Sequence, residues 1–121
     1  MTELPELLVA DADGLRRWLK DNHASSDGVW LVLHKKGGTV TALTWSDAVD
    51  ELLCYGWIDG QARKRDAESS SIRITPRRRR SLWSRRNVAN VERLERQRRM
   101  RAAGRAAVEA AKANGRWDSA Y

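Results

Sequence analysis

The chain has 121 residues and a net charge of +7, and 41% of its residues are hydrophobic. This length fits one domain over residues 1–121, and the apolar content allows a modest core in which six tryptophans are the largest side chains. A single cysteine excludes an intrachain disulfide, and no apolar run approaches the roughly 20 residues needed to cross a bilayer.

The first ten residues carry two acidic side chains and no basic one. A secretory signal peptide needs a basic start followed by a longer apolar segment. We therefore expect a cytoplasmic protein with no membrane partner, as a monomer or a homodimer. About the first ten residues are expected to be loose, as chain termini often are.

Positive charge is concentrated in the second half of the chain. Residues 1–60 contain five Lys or Arg and ten Asp or Glu, whereas residues 61–121 contain eighteen and six. Residues 77–105 alone contain twelve arginines and two acidic side chains. This asymmetry indicates an anionic partner or an acidic complement within the protein.

The first two elements are a helix and a strand. Residues 11–22 have helical periodicity, and Asp11 or Asp13 can cap the first turn. Residues 29–36 are rich in Val, Leu and Trp, and the first five of them are apolar on both faces. They predict a strand inside a sheet rather than at its edge.

A second helix follows Thr44, whose hydroxyl can cap it. Its apolar stripe comprises Ala48, Val49, Leu52 and Leu53. Asp50 and Glu51 are expected to point outward, and Gly56 supplies a left-handed stop.

The next segment predicts a β-hairpin. Residues 57–65 form a strand with a glycine kink, residues 66–70 form a turn, and residues 71–75 alternate like a half-buried strand before Pro76.

A basic loop then spans residues 77–82, and Ser84 caps a helix expected to run to about Ala102. Gly104 is expected to interrupt it, and an alanine-rich helix follows to Asn114. The order α-β-α-β-β-α-α predicts an α+β fold, with helices packed on a small, mostly antiparallel sheet.

Four segments form a specific combination: 45–60 with Trp-Ile-Asp-Gly, 74–77 with Thr-Pro-Arg, 81–87 with Trp-Ser-x-x-Asn, and 115–121 with Gly-Arg-Trp-Asp. Together they resemble the YdeI/OmpD-associated (bacteriocin-protection) family. Members usually continue past the last segment into a Lys/Arg-rich helical region, so this chain is expected to be a short form or a truncated piece. The family name implies protection against bacteriocins or antimicrobial peptides.

The first candidate site surrounds Trp57 and Asp59, which two glycines bracket. In a functional interpretation, Trp57 is a stacking wall and Asp59 an acceptor or general base. In the alternative, Trp57 belongs to the core and Asp59 pairs with a buried arginine.

The second candidate site is a basic and aromatic set: Arg73, Arg77, Arg78, Arg79, Arg80, Trp83, Ser84 and Asn87. Ser84 opens a helix, and helix N-termini favour anions. Arginine adds bidentate contacts to phosphate or carboxylate, and Trp83 can stack on a ring. The alternative is a solvated basic face or one that contacts the acidic first half.

We therefore predict a pocket for a small anionic ligand, without a cofactor, lined by Trp57, Asp59, Arg73, Arg77, Trp83, Ser84 and Asn87. Three alternatives stay open: sequence-nonspecific nucleic-acid binding, an enzyme with Asp59 as base, and the peptide protection implied by the family name. Two histidines and one cysteine, none at ligand spacing, predict no metal site.

The remaining polar and aromatic residues are given structural roles. The pairs Glu92–Arg96 and Glu95–Arg99 have the spacing of ion pairs along a helix. Cys54 is expected to be a small buried hydrophobe. Three tryptophans are expected to be structural: Trp18, Trp30 and Trp45.

Overall fold

A computed structural model describes residues 3–121 and contains four strands and four helices within them. The strands are β1 (Glu6–Leu7), β2 (Val29–His34), β3 (Trp57–Lys64) and β4 (Ser69–Pro76). The helices are α1 (Ala12–Asn22), α2 (Trp45–Cys54), α3 (Arg85–Arg96) and α4 (Ala102–Ala113). The predicted α+β class is confirmed.

The sheet has the order β1-β2-β4-β3. Strand β2 lies between β1 and β4, so its predicted interior position is confirmed, and β3 and β4 form the predicted antiparallel hairpin. The hairpin register shifts between Asp59 and Ala62, where the glycine kink at Gly60 was expected.

Strand β1 was not predicted from the sequence. Glu6 and Leu7 pair in parallel with Trp30 and Leu31 of β2, in a region expected to be loose. The region expected to be loose also includes residues 1–2, which lie outside the described residues. Two side-chain bonds from Arg65 to the Glu6 carboxylate, of 2.7 and 3.2 Å, attach β1 to the hairpin.

The Glu6–Arg65 pair makes the docking of β1 depend on pH. The hydrogen bond from Arg65 lowers the pKa of Glu6 below its ordinary 4.5. A carboxylate whose pKa is lowered on folding stabilises the folded form at pH values above its unfolded pKa. This stabilisation is lost as the pH falls through the folded pKa. We expect the Trp30 amide, which donates to Pro5, to lose hydrogen-exchange protection below about pH 4.5. Glu6→Gln should remove this pH step, and an unchanged step in that variant would contradict the assignment.

Each of the first three helices begins at a side-chain cap. The side chain of Asp11 accepts from the Gly14 amide at 3.0 Å, and that of Thr44 from the Asp47 amide at 3.2 Å. Ser84 caps α3 in the same way. The predicted helix starts at Asp11, Thr44 and Ser84 are confirmed.

The prediction that Glu51 points outward is wrong. Its side chain is only 2% exposed, and it accepts two hydrogen bonds from Arg16 and one from Arg99. Position 51 follows Ala48 by three residues and precedes Tyr55 by four, so it lies on the buried face of α2. The ion pairs make this burial possible because they satisfy the carboxylate.

The predicted boundary between the last two helices is also wrong. Helix α3 ends at Arg96 instead of Ala102, and Gly104 lies inside α4 instead of interrupting a helix. Arg98 adopts a left-handed conformation with φ 58°, and the next amide donates to the Leu94 carbonyl. This geometry ends the helix in the way that glycine usually does.

In residues 3–121, no helix is both long and apolar enough to cross a membrane. The core lies between the sheet and the helices and includes two of the tryptophans that were expected in the site, Trp57 and Trp83.

Candidate functional site

A cavity of about 460 Å³ lies where β3, the start of α2 and the start of α3 meet. Its polar wall comprises Asp59, Arg77, Ser84, Arg86, Asn87 and Asn90. Its apolar and aromatic wall includes Trp45, Val49, Ile58, Leu82 and Tyr121. This volume lies within the range of small-molecule sites, roughly 300–1,000 Å³.

Three segments position the polar wall. Strand β3 presents Asp59, and the chain leaving β4 presents Arg77, whose backbone amide donates to the Gly56 carbonyl at 2.9 Å. Ser84 begins α3 and accepts the Asn87 amide at 3.1 Å. The cap thus fixes the first turn of α3, which lines the cavity together with β3.

Arg77 is the most unusual side chain of the cavity. Its Nη1 donates to the Leu82 carbonyl at 3.0 Å, and its guanidinium lies 3.9 Å from the ring centre of Trp83. Its Nε is buried and has no hydrogen-bond partner within residues 3–121. Its Nη2 also makes no hydrogen bond in the described part of the chain, so this nitrogen is free to donate to a ligand, whereas Nε is covered by protein atoms.

Burial lowers the pKa of Arg77 to about 10, although attraction from Asp59 and then Tyr121 acts in the opposite direction. The side chain therefore stays positively charged at neutral pH while it has lost much of its hydration. Such a group has a stronger interaction with an anion than an arginine in bulk water.

Two other arginines of this chain show how a guanidinium binds a carboxylate here. Arg16 holds Glu51 through Nε and Nη2 at 3.0 and 2.9 Å. Arg65 holds Glu6 through the same two nitrogens at 2.7 and 3.2 Å. In Arg77 these two nitrogens hold no carboxylate of the described chain, and Nε is covered by protein atoms. Nη2 can therefore donate to one oxygen of a carboxylate.

The start of α3 adds further donors. The Arg85 amide donates to the Tyr121 carbonyl at 2.7 Å, and the Asn87 amide is taken by Ser84. Within residues 3–121 the Arg86 amide has no acceptor. Because first-turn amides lack partners inside their helix, this N–H favours a negatively charged ligand.

The cavity brings together four of the seven predicted site residues: Asp59, Arg77, Ser84 and Asn87. Asp59 lies far from the other three in sequence, and the fold places all four on one wall. Asp59 accepts the indole N–H of Trp45 at 3.0 Å through Oδ2. It does not form the ion pair with a buried arginine that was considered as an alternative.

The placement of Trp57 in the site is wrong, and the core alternative is correct. Its side chain is 1% exposed, stands edge-to-face on Trp18 at 5.6 Å, and donates its indole N–H to the His23 carbonyl. Gly56, just before it, permits close packing against the backbone of Ala103 and does not give access to a ligand.

Trp83 and Arg73 also lie outside the cavity. Trp83 is buried beneath Arg77 and packs edge-to-face on Trp117, so it supports the guanidinium instead of contacting a ligand. Arg73 is exposed on β4 and lines a second, 700 Å³ cavity that shares Asp59 and Arg77.

Sequence reasoning missed eight of the twelve lining residues, among them Trp45, Arg86, Asn90 and Tyr121. Trp45 was expected to be structural, but it is 48% exposed at the first position of α2. Asn90 could have been found from helical periodicity, since it follows Asn87 by three residues and donates to it.

The acidic first half neutralises some arginines of the second half through these pairs: Glu3–Arg63, Glu6–Arg65, Asp50–Arg93 and Glu51–Arg99. The predicted Glu95–Arg99 pair is wrong, since Glu95 holds Arg105 and Arg99 reaches Glu51. The acidic side chains of the first half therefore pair with arginines of the hairpin, of α3 and of the segment after α3. They provide no ion pair to Arg77 in the described chain.

Two other kinds of site, a reactive thiol and a metal centre, have little support in the described residues. Burial raises the pKa of the Cys54 thiol to about 11, so it is protonated and unreactive at neutral pH. Among the described side chains, no group of three or more His, Cys, Asp or Glu could hold a metal ion.

A family model described as a domain of unknown function (DUF8412) matches residues 7–107. The match covers most of the chain, which therefore belongs to the DUF8412 family. No curated protein and no solved structure matches the chain. The resemblance to the YdeI/OmpD-associated family stays a prediction.

Proposed function

We propose that this member of the DUF8412 family binds a small organic anion on Arg77. The observation that carries the proposal is a charged, largely desolvated guanidinium that lines a 460 Å³ cavity and whose Nη2 has no partner in the described chain. A hydrogen bond from a charged donor contributes about 1.5–3 kcal/mol, so an anion on Nη2 gains a strong contact. Contacts with Leu82 and Trp83 hold the side chain in place, so Nη2 is a preformed donor for an anion.

The rest of the polar wall fits the same ligand. Ser84, Asn87 and the Arg86 amide place neutral polar groups at the start of α3, where the helix dipole favours negative charge. Asp59 is already oriented by the Trp45 indole N–H, which leaves its other oxygen for a donor on the ligand. We thus expect Arg77 to supply the affinity and its neighbours the orientation.

Arg77→Met is expected to weaken anion binding at least tenfold. Acetate is a suitable first probe, with an expected Kd on the order of 1 mM because so small a ligand gains only about 1 kcal/mol per heavy atom. Binding can be followed at the Arg86 amide in two-dimensional NMR. The variant should stay folded, since loss of the Trp83 and Leu82 contacts is offset by removal of an unpaired N–H to within about 1 kcal/mol.

Arg80→Met is the matched control, because Arg80 is an exposed arginine of the same loop and does not line the cavity. It should bind acetate like the unmodified chain. Equal binding by both variants would mean that acetate is held by general surface charge, and the proposal would fail.

A second candidate function is nucleic-acid binding by the loop of Arg78, Arg79 and Arg80. These side chains are exposed and make no hydrogen bond or ion pair within residues 3–121. Such binding should weaken steeply between 50 and 200 mM salt, with a slope set by the number of phosphate contacts. Unmeasurable binding of single- and double-stranded DNA and RNA at low salt would remove this candidate. Catalysis by Asp59, peptide protection and a cytoplasmic location stay predictions from the sequence.

A further inference from the structure

We infer that the natural occupant of the cavity is an aromatic monocarboxylate whose planar ring lies against Trp45. This inference rests on the proposed anion binding at Arg77 and specifies the class of ligand. Three observations support it: the indole of Trp45 is exposed, its orientation is fixed, and the cavity wall has a particular balance of charges.

Trp45 is the first part of this inference. Large apolar side chains at this position would normally be covered, yet this indole is 48% exposed and lines the cavity. Ile58 and Val49 line the same cavity and add apolar surface. A flat ring between these groups would bury apolar area on both partners, and aromatic pairs gain further from offset or edge-to-face contact.

The orientation of the indole is fixed before a ligand arrives. Its Nε1–H donates to Asp59 Oδ2 at 3.0 Å, so the ring lacks the freedom of an ordinary surface tryptophan. Binding to an ordered wall loses less side-chain entropy than binding to a mobile one. Asp59 therefore fixes the orientation of the Trp45 ring and also forms part of the polar wall of the cavity.

The charge balance of the wall selects one carboxylate over a phosphate dianion. The cavity is lined by two arginines, Arg77 and Arg86, and by the Asp59 carboxylate, and Tyr121 on the same wall also attracts Arg77, which leaves at most a single net positive charge. A carboxylate can accept from Nη2 of Arg77 through one of its oxygens. A dianion would bring its second charge close to Asp59, and like charges in a partly dry site repel strongly.

The experiment compares benzoate, cyclohexanecarboxylate, acetate and phenyl phosphate by NMR titration at constant ionic strength. We expect benzoate to bind about tenfold more tightly than acetate and clearly more tightly than cyclohexanecarboxylate, which has a similar size but no flat face. Phenyl phosphate should bind no better than benzoate. The indole N–H signal of Trp45 should shift with benzoate, and its absence in Trp45→Phe assigns it.

Two variants separate the ring contact from the anion contact. Trp45→Ala should abolish the preference for benzoate over acetate, with the two affinities compared within the same variant, whereas Trp45→Phe should retain part of that preference. Melting curves establish that both variants are folded, as expected for a half-exposed side chain.

Each outcome has a distinct meaning. If acetate and benzoate bind equally and Arg77→Met abolishes both, the aromatic inference fails while the anion site stands. If phenyl phosphate binds best through Arg77, the ligand is a phosphate ester and the choice of carboxylate is wrong. If Arg77→Met leaves all four affinities unchanged, the proposed function itself fails.

Discussion

Replacing Gly104 with alanine is expected to destabilise the protein by about 3 kcal/mol, the upper part of the usual range for overpacking. A Cβ on Gly104 would lie 2.6 Å from the Leu53 carbonyl oxygen and still closer to that of Cys54. Both contacts are backbone atoms at the end of α2, so no side-chain rotation can relieve them. The clash exceeds the gain of up to about 1 kcal/mol that alanine normally brings to a helix.

The structural reason is the junction between α2 and α4. The Arg101 amide, at the start of α4, donates to the Cys54 carbonyl at 3.1 Å, so the two helices meet end to end with opposite dipole signs. Separating them to admit a methyl group would break this bond. Thermal unfolding should show a decrease of about 10 °C for a chain of this length.

Gly60→Ala is the matched control for Gly104→Ala. A Cβ there would have its nearest neighbour, the Arg73 carbonyl oxygen, at 3.6 Å, an ordinary contact distance. Its φ angle lies outside the left-handed range, so alanine is not strained. We expect a change within about 0.5 kcal/mol, as for surface positions generally. Equal losses in both variants would contradict the close helix junction.

Local sequence signals predicted the elements well and their ends poorly. Cap residues at Asp11, Thr44 and Ser84 identified three helix starts because a cap acts through a hydrogen bond within the same turn. The end of α3 escaped prediction because Arg98 adopts the left-handed conformation that glycine usually supplies. Gly104 was predicted to interrupt a helix, whereas it lies where α4 contacts the end of α2 too closely for a side chain.

The candidate site was predicted only in part, because local patterns mark some of its residues while the exposure of others depends on tertiary packing. Asp59, Arg77, Ser84 and Asn87 stood out as polar residues among glycines, arginines and a helix start, and the fold brings them together. Which tryptophan faces the ligand could not be predicted, because exposure depends on tertiary packing. The motif drew attention to Trp57 and Trp83, yet the exposed indole belongs to Trp45.

The second large effect is expected at Glu51. Glu51→Gln should destabilise the protein by about 3 kcal/mol, near the 3–5 kcal/mol typical of breaking a buried ion pair by removing one partner. The carboxylate is 2% exposed and accepts three bonds: from Arg16 at 3.0 and 2.9 Å and from Arg99 at 2.7 Å. A glutamine presents one oxygen and turns its NH₂ toward a guanidinium donor, so at least one bond is replaced by donor–donor repulsion.

Glu95→Gln provides the control, because Glu95 also holds an arginine, Arg105, at 2.9 Å, but both side chains are largely exposed. Exposed pairs contribute about 0–1 kcal/mol, so its loss should barely change the unfolding midpoint in urea. The chemical change is identical in the two variants, so the difference between them measures the burial of Glu51 together with its additional bonds from Arg16 and Arg99. If Glu51→Gln cost no more than Glu95→Gln, water would reach Glu51, and the Arg16–Glu51–Arg99 cluster would not connect α1, α2 and the segment after α3 as the structure indicates.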